Sequence, residues 1–275
     1  MTLEEAIAKI KPLDHNAMEI AQKRWDSIAK PLHSLGKLET LLIQIAGITG
    51  NAEVDLSRRG LIAMCADNGV VEEGVTQTGQ EVTAIVAENF LKYDTSVGVM
   101  CKQNHAEIFP VDMGMVTDTK VRTDHKIAYG TQNMTKGPAM TREQAVKGLE
   151  AGIDMVRELN DKGYRILATG EMGIGNTTTS SAVASVLLKQ PVEEMTGRGA
   201  GLTSEGLVRK INAIKKAIAL NKPDPEDAID VLAKVGGLDI AGMAGVFLGG
   251  AVYGIPVVMD GFISCVSALI AMRIC

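Results

Sequence analysis

Short apolar runs of strand length alternate along this chain with longer stretches that carry helical spacing. Four runs, Leu61-Ile-Ala-Met-Cys-Ala66, Ala106 to Val111, Tyr164-Arg-Ile-Leu-Ala168 and Ile255-Pro-Val-Val-Met259, have the aliphatic content of buried parallel strands. Helical patterns lie between them at Glu81 to Leu91, Thr141 to Leu159, Asn176 to Leu188 and Ser204 to Leu220. This alternation predicts an α/β fold, a parallel Rossmann-like sheet with flanking helices. The start of the chain differs. It reads as helices over Leu3 to Ile10, Asn16 to Ala29 and, after the Pro31-Leu-His-Ser-Leu-Gly36 turn, Lys37 to Ile48. Residues 1–50 are therefore expected to form a small N-terminal helical region and residues 51–275 the α/β domain.

Each predicted strand ends in an acid followed by glycine: Asp67-Asn-Gly69, Asp112-Met-Gly114, Glu171-Met-Gly173 and Asp260-Gly261. Parallel sheets bind ligands outside the carboxyl ends of their strands, which places Asp67, Asp112, Glu171 and Asp260 along one acidic, glycine-lined rim. Two of these four are expected to serve as helix caps or as partners of nearby amides.

The third strand leads into Gly170-Glu-Met-Gly-Ile-Gly-Asn-Thr-Thr-Thr179. Glycines at 170, 173 and 175 free the backbone amides, and the start of the next helix with its run of hydroxyls suits a phosphate. Asn176 or Thr177 is expected to cap that helix, and a strand–turn–helix corner needs glycine without any ligand, so both readings stand. The spacing fits neither the P-loop nor the dinucleotide fingerprint. If a phosphate does sit here, valine at position 175 is expected to block its approach while leaving the fold intact.

Ile240 to Met259 carries no charge, which is long enough for a membrane helix. Its glycines, Pro256 and the flanking Asp239 and Asp260 favour a tightly packed core helix followed by a strand. A formal charge of −5 argues against nucleic acid as a partner. The cysteines at 65, 101, 265 and 275 form no metal-ligand pair, and the N-terminus carries acids where a secretory signal would be basic. A cytoplasmic protein without a membrane span is expected. The histidines at 15, 33, 105 and 125 suggest no metal site, and no nucleophile signature is present. Arg198 and Lys210 lie near the glycine loops, as anion ligands or as surface residues.

Six ordered motifs carry a resemblance: Cys65-Ala-Asp-Asn-Gly69, Val111-Asp-Met-Gly114, Gly137-Pro-Ala-Met140, Glu171-Met-Gly-Ile-Gly-Asn-Thr-Thr178, Gly236-Gly-Leu-Asp239 and Met259-Asp-Gly-Phe262. Together they resemble the nicotinate-nucleotide–dimethylbenzimidazole phosphoribosyltransferase family over nearly the whole chain. Lys30 to Glu39 also looks like a segment of that family, with Leu32-His33 in place of Pro-Gly. The resemblance implies transfer of the phosphoribosyl group of nicotinate mononucleotide to 5,6-dimethylbenzimidazole, with inversion at the sugar and without a metal or cofactor. It implies a catalytic role for Glu171 towards the ribose. Gly173, Gly175, Asn176, Thr177 and Lys210 fall at donor-binding positions, Asp239 and Asp260 at further substrate-binding positions, and Thr78 with Gln80 on the loop approaching the aromatic acceptor. A homodimer is implied.

The resemblance places the family's general base, the glutamate of a Ser-His-x-Ser-Ala-Glu motif, beyond the position of Cys275, and that motif is not among these residues. Relative to the family the α/β domain is expected to be incomplete at its C-terminal side, through truncation or because a partner subunit supplies the rest. Phe262 to Cys275 is an apolar run that such a segment would help to cover. Two other functions follow. One is the same chemistry on phenol, adenine or another azole; the other is a non-catalytic nucleotide-binding subunit.

Overall fold

The computed structural model describes residues 1–275. Three helices come first: α1 (Leu3–Ile7), α2 (His15–Ser27) and α3 (Lys37–Thr49). Thr2 and Glu5 cap α1 reciprocally, and the Asp14 carboxylate accepts the Ala17 amide at the start of α2. α2 and α3 pack against each other with Ala17, Ala21, Ala46 and Gly47 buried. α1 goes elsewhere, burying Leu3 and Ala6 in the main core.

β1 (Arg59–Ala66) is followed by α4 (Glu81–Lys92), α5 (Ser96–Gln103) and β2 (Ala106–Gly114). The chain then runs through α6 (Arg142–Asp161), β3 (Ile166–Met172), α7 (Asn176–Leu188), α8 (Val192–Met195) and α9 (Ser204–Asn221). It closes with α10 (Ala228–Val235), α11 (Leu238–Tyr253), β4 (Val257–Val258) and α12 (Phe262–Ile274). The sheet order is β2-β1-β3-β4, with every pair parallel.

Strand alternation divides the core in two. Ile62, Met64 and Ala66 join the large cluster that contains α6 and α11, while Ala63 and Cys65 meet Phe90 and Cys101 from α4 and α5. The chain thus leaves β1 over one face to reach β2 and returns beneath the other face to reach β3. The loops after β1 and β3 consequently diverge and open a crevice at the strands' carboxyl ends.

The uncharged run folds as α11, laid against α6. A Cβ on Gly152 would overlap the Gly242 carbonyl oxygen, and one on Gly245 would overlap that of Leu149, so only bare backbone permits this approach. No helix is long and apolar enough to cross a membrane.

β2 and β3 run past their expected ends because the ladder with β1 continues, pairing Cys65 with Asp112 and Met64 with Glu171. Both acids therefore lie within strands. β4 is shorter than expected: Pro256 has no N–H to give, and only Val257 and Val258 pair, with Leu167 and Ala168. The apolar run after it forms α12, which buries Val266, Ile270 and Ala271 in the main core and leaves Phe262 and Met272 exposed.

Candidate active site

The crevice holds the glycine loop. Gly175 occupies the N-cap of α7 at φ +96°, a conformation that side chains resist, and no side chain caps the helix. The expected cap by Asn176 or Thr177 is thereby corrected: both side chains are drawn to other partners. The amides of Gly175 and Thr177 find no acceptor within the chain, which leaves the positive end of α7 open to an anion.

Lys210, on α9, is almost fully buried. Its ammonium donates to Thr177 Oγ1 at 2.8 Å and to the Gly197 carbonyl at 3.2 Å, and no carboxylate pairs with it. Burial pulls its pKa down to about 8. Arg198 is tied into its own loop through the Leu202 carbonyl and Ser204 Oγ.

Glu171, Asn176 and Asp239 form the opposite wall's polar knot. Asn176 Nδ2 donates to Glu171 Oε2 at 2.5 Å and to Asp239 Oδ2 at 2.8 Å. Asp239 is wholly buried at the start of α11, where its Oδ1 accepts the Ile240 amide at 3.0 Å. Burial and then the neighbouring Glu171 carboxylate push Asp239 up to about 7. Burial, with the charge of Asp260 adding to it, likewise raises Glu171. Gly173 is confined by the same knot, since its Cβ would fall 2.5 Å from Asp239 Oδ2 and 2.6 Å from the Ala66 carbonyl.

Two cavities meet here. One of about 580 Å³ is lined by Glu171, Thr177, Ser181, Gly199, Lys210, Asp260, Phe262 and Ser264, among others. A second of about 350 Å³ is mainly apolar, lined by Leu61, Phe90, Val97, Met100, Val258 and Met259. Gly170, Glu171 and Asp260 border both.

Of the residues expected at the site, Glu171, Thr177, Lys210 and Asp260 line the larger cavity, with Gly173, Gly175 and Asn176 shaping its loop. Asp239 lines neither cavity, standing behind Asn176. Thr78 and Gln80 also line neither. Gln80 Nε2 donates to the Asn68 carbonyl at 3.3 Å. Cys275, the position beyond which the family's general base was expected, has no place in the site either. It is an exposed free thiol at the end of α12, its amide bonded to the Ala271 carbonyl at 3.1 Å, and it lines neither cavity. The reason is directional: the α12 N-terminus, with Phe262 and Ser264, faces the larger cavity, and the helix then carries the chain away from it.

Asn68 escaped the sequence reasoning. Its Oδ1 accepts from Thr179 at 3.3 Å and its Nδ2 donates to the Ile174 carbonyl at 3.4 Å, joining the β1 and β3 loops; the Asp67-Asn-Gly69 motif was the available signal. The other rim acids turn inward. Asp67 accepts the Val116 amide at 2.9 Å, and Asp112 accepts the Met115 amide at 2.8 Å and pairs with Lys126 at 3.1 Å. Elsewhere Asp124, His125 and Glu158 converge in a cluster of metal-ligand type. Arg122 donates to both of its carboxylates, supplying the positive charge there.

A family model described as phosphoribosyltransferase matches residues 10–275. The nicotinate-nucleotide–dimethylbenzimidazole phosphoribosyltransferase of Ruminiclostridium cellulolyticum is 53% identical, covering 100% of this chain and 78% of its own length. Its namesake in Clostridium acetobutylicum is 52% identical with the same coverage. The crystal structure of CobT from Thermus thermophilus superimposes with a TM-score of 0.88 at 36% identity, covering 94% of this chain and 78% of that one. The chain belongs to the family of nicotinate-nucleotide–dimethylbenzimidazole phosphoribosyltransferases.

Proposed function

We propose that this protein transfers the phosphoribosyl group of nicotinate mononucleotide to 5,6-dimethylbenzimidazole, giving α-ribazole 5′-phosphate and nicotinate for the lower ligand of cobalamin. The observation that carries the reading is the meeting, at Glu171 and Asp260, of a cavity that presents Lys210 and Thr177 with one lined mainly by apolar side chains. The donor's phosphate goes to Lys210, Thr177 and the open amides of the glycine loop. Its ribose hydroxyls donate to Glu171. The flat acceptor takes the apolar cavity. Thr78 and Gln80 belong to the acceptor loop in this reading, Gln80 acting through Asn68.

A benzimidazole nitrogen attacks C1′ with its lone pair as the bond from C1′ to the pyridinium nitrogen breaks. The departing pair neutralises the pyridinium, so nicotinate leaves without protonation. Attack from the opposite face inverts the sugar. Positive charge builds on C1′ and its ring oxygen between Glu171, held by Asn176 before the reaction starts, and Asp260. The second benzimidazole nitrogen gives its proton to a carboxylate. The family resemblance assigns that role to the glutamate of the Ser-His-x-Ser-Ala-Glu motif, beyond Cys275; among the residues present, Glu171 stands between the two cavities.

The protein is read further as a cytoplasmic homodimer. Four free cysteines suit a reducing compartment, and exposed Leu32, Leu35, Leu38 and Leu41 offer an apolar face to a second copy. Light scattering at two concentrations checks the dimer.

The test of function incubates purified protein and nicotinate mononucleotide with dimethylbenzimidazole, adenine or phenol in parallel. Chromatography and the anomeric proton signal identify the product. Preferential formation of α-ribazole phosphate is expected. Turnover of only phenol or adenine selects the other-acceptor function, and donor binding without any product selects the binding subunit.

A further inference from the structure

Asp239 is a buried carboxylate that lines neither of the two cavities, yet two loops are shaped around it. A Cβ at Gly173 would fall 2.5 Å from its Oδ2, and one at Gly237 would fall 2.5 Å from its Oδ1. It forms no salt bridge and takes two hydrogen bonds, from the Ile240 amide and from Asn176. The first is the ordinary satisfaction of an acid in a helix's first turn. The second reaches across to another element, and the Asn176 amide nitrogen that makes it also holds Glu171.

Asn176 is buried, and its amide group has two hydrogens. Both are committed, one to each carboxylate. Glu171 Oε2 is thereby held, while Oε1 has no partner within the chain. Without Asp239 the carboxamide is free to rotate, and the side chain of Glu171 loses its anchor. The ionisable neighbours bearing on Asp239 are Glu171 on β3 and the buried Cys65 thiol on β1.

We propose that Asp239 is a positioning residue that acts through Asn176 to fix the direction in which Glu171 presents its free oxygen to the ribose. The chain of contacts runs from the start of α11 to the start of α7 and ends on β3, so the donor loop and the carboxylate move as one unit. This inference rests on the phosphoribosyl-transfer reading for its kinetic consequence, while the coupling between the two carboxylates is measurable without any reaction.

The experiment compares Asp239→Asn, Asn176→Ala and the double variant. Asp239→Asn keeps the shape but offers a single acceptor where two donors converge, the Ile240 amide and Asn176. Turnover is expected to fall roughly tenfold or more, mainly in kcat, as for loss of one oriented charged hydrogen bond. In the Asn176→Ala background the same change should have little further effect on kcat, because the route to Glu171 is already cut. Carboxyl-carbon NMR of the unliganded protein should show Glu171 titrating at higher pH in Asp239→Asn, since the Asn176 hydrogen bond that favours its charged form is loosened. An unchanged Glu171 titration, or an equal loss of kcat in both backgrounds, overturns the proposal and leaves Asp239 as a fold residue. Absence of phosphoribosyl transfer by the unaltered protein would instead sink the functional reading, with the NMR comparison still deciding whether the carboxylates are coupled.

Discussion

Replacing Lys210 by methionine should strengthen the empty protein and weaken its hold on the donor. The lysine is buried without a carboxylate partner, and its pKa falls from 10.5 to about 8. Each unit corresponds to about 1.4 kcal/mol, so holding the ammonium inside costs the fold about 3 kcal/mol at pH 7. Methionine removes that term and strands two acceptors, Thr177 Oγ1 and the Gly197 carbonyl, at about 1 kcal/mol each. The net is a gain of about 1 kcal/mol at pH 7.

The sign depends on pH. A lysine whose folded pKa is depressed penalises the fold fully below that pKa, and the penalty fades as pH rises towards the unfolded value. By about pH 9.5 it has shrunk to about 1.4 kcal/mol, and the variant should be slightly less stable than the parent. Donor affinity moves the other way at pH 7. Loss of a charge-assisted contact to phosphate is worth about 1.5–3 kcal/mol, or roughly 10- to 100-fold in Kd. Urea unfolding at both pH values and calorimetry with nicotinate mononucleotide measure the two effects. A variant that is less stable at pH 7 and binds the donor unchanged would refute the reasoning at both points.

Glu171→Ala should weaken donor binding by about 1–3 kcal/mol, as expected for hydrogen bonds to a charged group; a lower Tm with unaltered affinity would mark Glu171 as structural only. Gly175→Val should now cost stability as well as phosphate binding. The position has φ +96°, and an added Cβ would come within 2.9 Å of Val71 Cγ2, so a loss of about 1–3 kcal/mol is expected in thermal unfolding. This replaces the expectation of an intact fold, and an unchanged Tm would show that the loop relaxes freely. In the parent protein, affinity for nicotinate mononucleotide should decline as pH rises through and above about 8, where Lys210 loses its proton. The decline should be absent from Lys210→Met, and calorimetry across that range reads it.

Much of the fold was legible because it depends on local pattern. The expected helix from Asn176 to Leu188 matches α7 at both ends, where a glycine turn and a left-handed Lys189 bound an Ala- and Val-rich run. The strand ends were not legible, because pairing with β1 extends β2 and β3 and that pairing is not local. Short helices such as α5 and α10 also escaped, being too brief for periodicity to separate them from loops. At the site, sequence brought forward Glu171, Thr177, Lys210 and Asp260, which line one cavity. It could not show that Asp67 and Asp112 turn inward, since any strand-terminal acid has the same signature. Nor could it show Asn68 bridging two loops, a contact between residues far apart along the chain.

The charges of the larger cavity explain why its parts are useful together. It contains one cation, Lys210, and the carboxylates Glu171, Glu194 and Asp260. Lys210 forms its hydrogen bonds with neutral oxygens instead of pairing with any of them. A site shaped only for stability would have paired Lys210 or omitted it, since an unpaired buried charge weakens the fold. Nicotinate mononucleotide carries the complementary pattern, an anionic phosphate at one end and a cationic ring joined to C1′ at the other. In the proposed reading, phosphate meets the lysine and the amides at the start of α7. The positive centre would then lie beside Glu171 and Asp260, where the charge would spread onto the sugar as the bond to nicotinate lengthens. On that reading the donor relieves the unpaired charge of Lys210, and Glu171, already held by Asn176, needs no reorganisation when the positive charge moves onto the ribose.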